Sequence, residues 1–222
     1  MVVNKRIPLA VFLASTTFSL MGCFSSGSSG SSESPEPEAG LSGTVATGAP
    51  LNDGSVCLRE KGVSADQACT LESETDSDGI YSFSNDELEG LEYPLRISVS
   101  GVSAAGNPVG MTSVVVNEGQ EASNVTPLTE ILLQAANQGN PGSEISAEAL
   151  GNLDLENQMQ GVRGVLASQN LLSRLNIDAN VDFVSDSGFS ADRTGVDQFL
   201  DLVSIESYTI NENGDFRIQI TD

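Results

Sequence analysis

Glu74, Asp76 and Asp78 alternate along one short stretch, and Gly79 follows at the sixth position of the pattern Glu-x-Asp-x-Asp-Gly. Carboxylates two residues apart, followed by Gly where the loop turns sharply, are typical of calcium-binding loops. Such loops end in a bidentate Glu at the twelfth position, where this sequence has Asn85. The same residues fit a tight turn in which an Asp side chain caps the backbone and Gly takes a positive φ. We therefore expect a turn, with a calcium site at Glu74, Asp76 and Asp78 as the alternative.

Cys23 ends a short apolar segment that begins after Lys5 and Arg6. Positive charge, an apolar run and small residues before a cleavage point are the parts of a secretory signal peptide. The run is too short for a membrane-spanning helix, which takes about 20 apolar residues. The residues Leu20-Met21-Gly22-Cys23 resemble the lipobox of bacterial lipoproteins. The alternative is an ordinary secretory signal in which the cysteine occurs by chance.

The lipobox resemblance implies lipidation of the Cys23 sulfur, removal of Met1–Gly22 and acylation of the new amino group. Several acyl chains, such as palmitate, give a stable anchor where a single chain is marginal. Phe24 follows the cysteine, whereas an Asp there is the usual inner-membrane retention signal of Gram-negative families. We therefore expect a lipid-anchored protein of the bacterial cell envelope, at the outer membrane, on either its periplasmic or its external leaflet.

Cys57 and Cys69 are the two cysteines that remain once Cys23 is assigned to lipid. In an oxidising compartment a pair of thiols most often forms a disulfide. An unstrained disulfide that closes a loop of this size adds about 3 kcal/mol of stability. Metal or redox use of the pair is the alternative, although the spacing differs from Cys-x-x-Cys and no His is present to join them. The sequence therefore predicts a Cys57–Cys69 disulfide.

Several kinds of catalytic site are excluded by composition. The chain has no His, so Ser-His-Asp sites, Cys-His sites and His-based zinc sites cannot form. The sequence contains neither of the glycine-rich phosphate-binding motifs G-x-x-x-x-G-K-[ST] and G-x-G-x-x-G. A pair of carboxylates could still hydrolyse a glycosidic bond, but with no Trp and 5% aromatic residues the chain has little surface for stacking on sugars. We expect no enzymatic activity, and no cofactor other than the calcium of the alternative above.

The chain is strongly acidic, with 31 Asp and Glu residues, 9 Lys and Arg residues and a net charge of −22. Cleavage after Gly22 would remove Lys5 and Arg6 and make the chain two charges more negative. A polyanion repels nucleic acid and anionic headgroups and attracts cations or basic partners. Solubility in a salty or divalent-rich medium explains the charge better than a dedicated basic partner, and nucleic acid is excluded as a partner.

Composition and apolar patterning divide the mature chain into a tether and a folded part. Residues 23–40 are rich in Ser, Gly, Pro and Glu without an apolar period, which is typical of a solvated linker. From 41 to 123, short apolar alternations between turn residues predict a small antiparallel β-sandwich. The predicted strands contain Leu41 and Val45, Val56 and Leu58, Tyr81 and Phe83, Leu95 to Val99, and Val114 and Val116.

Five segments of residues 41–123 resemble the bacterial carboxypeptidase regulatory-like domain, a transthyretin-type, Ig-like β-sandwich. They are Leu41-Ser42-Gly43-Thr44-Val45, Gly48-Ala49-Pro50-Leu51, Gly54-Ser55-Val56-Cys57-Leu58, Thr75 to Phe83, and Tyr93-Pro94-Leu95. The resemblance implies the fold and says little about function, because one fold hosts many functions. The cysteine pair does not belong to the general pattern of that family.

Residues 124–222 have the apolar period of helices and predict a helical region closed by a β-hairpin. Thr126 can cap the first helix, with Pro127 at its first position and Glu130 in its first turn. A second helical segment is predicted from Ser146, with one apolar face. That face contains Leu155, Met159, Val162 and Leu166, and Gly161 and Gly164 interrupt the pattern.

A third helix is predicted to begin at Thr194, with Asp197 completing a capping box. Alternating apolar residues on either side of Asn213-Gly214 predict a C-terminal hairpin. The segments Val125–Glu130 and Phe189–Asp201 resemble a module of uncharacterised proteobacterial secreted lipoproteins. That resemblance implies no activity.

We therefore expect a non-catalytic structural, adhesion or binding module, whose partner is the membrane through its anchor and an envelope protein or polysaccharide. A carbohydrate- or calcium-binding module is the first alternative. A carboxylate-dependent hydrolase is the second, and it would need a pocket enclosing two carboxylates with opposed pKa shifts.

Overall fold

Six strands in the first part of the folded chain form two antiparallel sheets. The computed structural model describes residues 39–136, 145, 147–202, 204–210 and 216–221, so the predicted signal peptide and nearly all of the predicted tether lie outside the described residues. The strands are β1 (Ala39–Thr44), β2 (Ser55–Arg59), β3 (Leu71–Glu74), β4 (Ile80–Ser84), β5 (Leu95–Val102) and β6 (Pro108–Val115). β1 pairs with β4, and the other four strands form a sheet in the order β3-β2-β5-β6.

Both sheets contribute side chains to one apolar core. Side chains on alternate positions of a strand point to one face, and here that face is buried. The rings of Tyr81 and Phe83 lie in this core edge to face, with centroids 5.9 Å apart. Its other buried members are Leu41, Val45, Leu51, Val56, Leu58, Leu95, Ile97, Val99, Met111, Val115 and Val125. The predicted apolar alternations therefore mark real strands, and the sheets are antiparallel as expected.

The structure adds elements that the apolar pattern does not predict. β3 has a single apolar residue, Leu71, so its alternation cannot be recognised in the sequence. A one-turn helix, α1 (Asn85–Leu88), follows β4 and begins with a capping box in which the Ser84 N–H donates to the Glu87 carboxylate over 2.8 Å. β6 begins at Pro108, six residues before the predicted apolar pair. The apolar pattern misses the first half of this strand because that half is largely exposed.

Residues 121–125 run parallel to β1 and connect the sheets to the helices. Isolated bridges join Ser42 to Ala122 and Val45 to Val125. The Thr44 N–H donates to Asn124 Oδ1 over 3.1 Å, and both residues are buried. The predicted boundary between residues 123 and 124 falls within this paired segment.

Six helices occur among the described residues, and five of them follow the sheets. These are α2 (Pro127–Ala136), α3 (Ala147–Gly151), α4 (Leu155–Ser168), α5 (Leu171–Arg174) and α6 (Gly195–Leu202). Their apolar faces form a second core, to which the sheets contribute Val114. Its other buried members are Leu128, Ile131, Leu132, Leu133, Ile145, Leu150, Met159, Val162, Leu166, Leu172, Ile177, Phe183, Val184, Phe199 and Leu200.

The first of these helices, α2, begins as the sequence predicts. Pro127 is its first residue, and the cap is reciprocal: the Thr129 N–H donates to Thr126 Oγ1 over 3.3 Å, and the Thr126 N–H donates to Thr129 Oγ1 over 2.9 Å. A Thr at the position normally occupied by Glu or Gln therefore completes a capping box.

Two predictions for the later helices need correction. The segment predicted from Ser146 consists of three short helices, yet α4 continues through Gly161 and Gly164 without a break. The capping box predicted at Thr194 is wrong, because Asp197 Oδ2 accepts from the Arg193 N–H (2.7 Å), while the Thr194 N–H donates to Asp192 Oδ1 (3.0 Å). Arg193 has a φ of 65°, and it is the N–H of this left-handed residue, one position before Thr194, that Asp197 accepts.

The last two strands, β7 (Ser204–Ile210) and β8 (Phe216–Thr221), pair antiparallel. The turn predicted at Asn213-Gly214 lies outside the described residues. In the part of the chain that the structure describes, no helix has both the length and the apolar character needed to cross a membrane.

Candidate functional site

The structure contains the Cys57–Cys69 disulfide that the sequence predicts, with Cα atoms 5.4 Å apart. Cys57 is in β2, and Cys69 lies two residues before the beginning of β3. The bond closes the connection between two neighbouring strands, so residues 58–68 form a covalently closed loop at one end of the four-stranded sheet. Cys23, the predicted lipidation site, lies outside the described residues.

Two arginines lie directly opposite each other beneath this loop. Arg59 of β2 pairs in register with Arg96 of β5, and both are buried. Cys57 and Arg59 alternate with the core residues Val56 and Leu58, so they lie on the sheet face that points away from the two-sheet core. Like charges directly opposite in a sheet destabilise it unless other groups compensate.

Backbone carbonyls of the closed loop provide that compensation. The Arg59 guanidinium donates from Nη2 to the carbonyls of Gln67 (3.1 Å) and Ala65 (3.2 Å), and from Nε to that of Gln67 (3.3 Å). Arg96 Nη2 donates to the Val63 carbonyl over 3.4 Å. The disulfide and the arginine pair therefore hold the same loop, one covalently and the other through its carbonyl groups.

Sequence reasoning missed this arginine pair. A basic residue at the end of an apolar alternation is normally solvated, and the sequence carries no sign that a later loop folds back over it. The only available signal is the scarcity of basic residues, because the whole chain has 9 of them and three, Arg59, Arg96 and Arg217, stand at strand positions. Register between β2 and β5 is what brings them together.

Asp76 and Asp78 lie in a turn that follows Glu74, the last residue of β3. Asp76 Oδ1 accepts the N–H groups of Asp78 and Ile80, each over 2.9 Å, and Gly79 has a φ of 76°. Among the described residues, no group of three or more His, Cys, Asp or Glu side chains could hold a metal ion. The turn that the sequence predicts is therefore present, with one Asp76 oxygen holding two backbone N–H groups.

Asp192 and Asp197 are two carboxylates with opposed pKa shifts. Burial is the largest cause that raises the pKa of Asp197, whereas hydrogen bonds, first from the side chains of Thr194 and Ser190, lower the pKa of Asp192. Opposed shifts of this kind are the requirement for a carboxylate-dependent hydrolase. Asp197 is, however, 0% exposed, and its Oδ2 holds the Arg193 N–H. A substrate cannot reach it, so this pair has a structural role at the start of α6.

Comparisons of the chain with protein-family models, with curated proteins and with solved structures found no match.

Proposed function

We propose that this chain is a lipid-anchored protein of the bacterial cell envelope, at the outer membrane, and acts there as a non-catalytic structural, adhesion or binding module. The observation that carries the proposal is the Cys57–Cys69 disulfide, which closes the connection between the neighbouring strands β2 and β3. Disulfides persist in oxidising compartments outside the cytoplasm. Export to such a compartment is also what the lipobox resemblance of Leu20–Cys23 implies.

We also propose that the two sheets form an Ig-like, transthyretin-type β-sandwich. The shared core of β1, β4 and the four-stranded sheet supports this, as does the passage of the chain from one sheet to the other between β3 and β4. Such folds present loops from a rigid scaffold, and binding residues are often found on loops of that kind. The loop closed by the disulfide is held a second time by Arg59 and Arg96, which donate to its carbonyl groups.

A binding role fits this loop better than catalysis does. Its exposed residues include Lys61, Asp66 and Gln67, which offer polar groups to a partner, and the chain has no His that could act there as a general base. A loop that is fixed before binding loses little conformational entropy when a partner docks. The loop closed by the disulfide is therefore the part of the four-stranded sheet that we propose for binding.

Metabolic labelling with an alkyne-tagged palmitate tests the anchor. The full-length chain is expressed with its own signal in a bacterial host, beside Cys23→Ser and, as a matched control, the double variant Cys57→Ser/Cys69→Ser. We expect label and membrane association in the wild type and in the double variant, and neither in Cys23→Ser. Label that persists in Cys23→Ser, or a wild-type chain without label, would contradict the proposal.

A further inference from the structure

One nitrogen of the Arg59 guanidinium has no partner in the part of the chain that the structure describes. Nε and Nη2 donate to the Gln67 and Ala65 carbonyls, whereas Nη1 donates to no described residue. Nη1 is also not one of the fully buried atoms that lack a hydrogen bond. This nitrogen therefore keeps contact with solvent, although Arg59 as a whole is only 9% exposed.

The loop holds this guanidinium in one orientation. Three hydrogen bonds to two carbonyls fix its plane, and the Cys57–Cys69 disulfide closes the loop that carries both carbonyls. A guanidinium is planar, so fixing Nε and Nη2 also fixes the direction of the N–H groups on Nη1. Donors fixed before binding lose little conformational entropy when a ligand arrives.

Positive charge is concentrated at this loop in a chain with a net charge of −22. Arg96 lies directly opposite Arg59 in register, and Lys61, two residues after Arg59, is exposed. Three of the 9 basic residues of the chain are therefore found here. Arg59 forms no ion pair with any described residue. The loop carbonyls carry only partial charges, so they compensate the charge of Arg59 without neutralising it.

The two carboxylates of the loop are engaged by groups other than Arg59. Glu60 Oε2 accepts the Glu92 N–H over 2.9 Å, and Asp66 Oδ1 accepts from Ser64 Oγ. Neither carboxylate approaches the guanidinium closely enough to form an ion pair with it. Nη1 is thus a fixed, charged donor whose acceptor is not supplied by the described residues.

We propose that Arg59 Nη1 binds the carboxylate of an anionic ligand beside the loop closed by the disulfide. Hydrogen bonds from a guanidinium to an anionic oxygen are about twice as strong as bonds between neutral groups. The negative charge of the whole chain repels a doubly charged phosphate more strongly than a singly charged carboxylate, and this favours the carboxylate. The inference rests on the binding role proposed above for this loop, and it gives that role a class of ligand.

Titration with sodium acetate, followed by NMR, is the first experiment. The full-length chain carries isotope-labelled arginine in a non-ionic detergent, and sodium chloride at the same ionic strength is the reference. The Cζ signal of Arg59 should shift and saturate, whereas that of Arg174, an exposed arginine at the end of α5, should not. Sodium phosphate at the same ionic strength should shift the Arg59 signal less. Equal shifts at both arginines, no saturation, or a larger effect of phosphate would overturn the proposal.

Variants of the full-length chain give the second experiment, in which the rise in melting temperature with acetate measures binding. Arg59→Lys keeps the charge and loses the planar donor group, so the acetate affinity should fall about ten-fold, while Arg174→Lys should leave it unchanged. Cys57→Ser/Cys69→Ser keeps Arg59 and releases the loop, so it should also weaken binding. Unchanged affinity in Arg59→Lys, or in a double variant that is still folded, would contradict a site built by Arg59 and the closed loop.

The anchor and this site can fail separately. A wild-type chain that incorporates the palmitate label and does not respond to acetate would overturn the carboxylate site alone. A chain that binds acetate at Arg59 and incorporates no label would overturn the anchor and leave the site in place.

Discussion

The sheets (residues 39–125) and the helical region (residues 126–202) are held together in different ways. Pairing between strands distant in sequence, a shared core and a disulfide hold the sheets. In the helical region the helices are short, and two of the turns between them contain Asn170 and Asn176 with positive φ values of 57° and 55°. Asn tolerates this left-handed conformation better than most residues do.

Aspartates organise the loops of the helical region. Asp178, Asp182 and Asp186 each accept a backbone N–H two residues further along the chain, over 2.7–2.9 Å. Asp192 does the same for Thr194. These side-chain caps replace the turns that glycine or proline would otherwise provide. Part of the negative charge of the chain therefore has a structural role, in addition to the solubility that composition suggests.

The largest effect is expected from a charge in the core of the helical region. Leu200 is 6% exposed, so Leu200→Asp would place a carboxylate among apolar side chains. Burying an unpaired charge costs far more than the few kcal/mol of a lost apolar contact. We expect loss of the helical circular-dichroism signal, with Ala167→Asp on the exposed face of α4 as the control. A Leu200→Asp chain with wild-type helicity and melting would contradict this packing.

Removal of the disulfide should have the next largest effect, this time on the sheets. Cys57→Ser/Cys69→Ser is expected to lower the free energy of unfolding by about 3 kcal/mol, because the unfolded chain regains the conformational entropy that the bridge removes. Urea unfolding measures the difference. A thiol reductant should destabilise the wild type by the same amount and leave the double variant unaffected; a reductant effect on the double variant would mean that another bond had been broken.

The junction between the two regions should show a smaller loss. Asn124 Oδ1 accepts from the Thr44 N–H, and Nδ2 donates to the Asp186 carbonyl over 2.8 Å. Asn124→Ala leaves these buried groups without partners and should cost about 2 kcal/mol. Hydrogen exchange should quicken at the Thr44 amide, and the exposed Asn107→Ala should leave it unchanged. Equal protection in Asn124→Ala and the wild type would show that the junction does not depend on this side chain.

The smallest effect is expected from Asp197, and it depends on pH. Burial raises the pKa of Asp197 above its usual 3.8, so the folded state holds this proton more tightly than the unfolded state. The stability that the proton contributes is therefore lost as the pH rises through that raised pKa. Asp197→Asn should reduce this loss as the pH rises above 3.8.

Asp192 provides a control of opposite sign. Hydrogen bonds from Thr194 and Ser190 lower the pKa of Asp192, so its contribution to stability is present above the usual pKa and is lost as the pH falls. Asp192→Asn should remove that contribution. Urea unfolding at a series of pH values measures how the free energy of unfolding of each variant, relative to the wild type, changes with pH. Changes of the same sign for Asp197→Asn and Asp192→Asn would contradict the opposed pKa shifts.

The sequence predicts best where a single short pattern decides the structure. The Thr126-Pro127 start of α2 and the Asp76–Gly79 turn are of this kind, because backbone groups a few residues away decide them. The disulfide could be predicted because only two cysteines remained to pair.

Features that depend on contacts distant in sequence could not be predicted. Arg59 and Arg96 meet only through the register of β2 with β5, and their partners lie in a loop that folds back over them. Asp197 looked like the end of a capping box at Thr194, but the left-handed Arg193 gave its carboxylate a different N–H.

The intact mass of the mature chain extracted from membranes tests the central claim most directly. A lipid-anchored envelope protein should begin at Cys23, carry acyl chains on that residue and contain Cys57 and Cys69 as a disulfide. After reduction the mass should rise by the two hydrogens of one bridge. A chain that retains Met1–Gly22, or one that begins at Cys23 without acyl chains, would contradict the account.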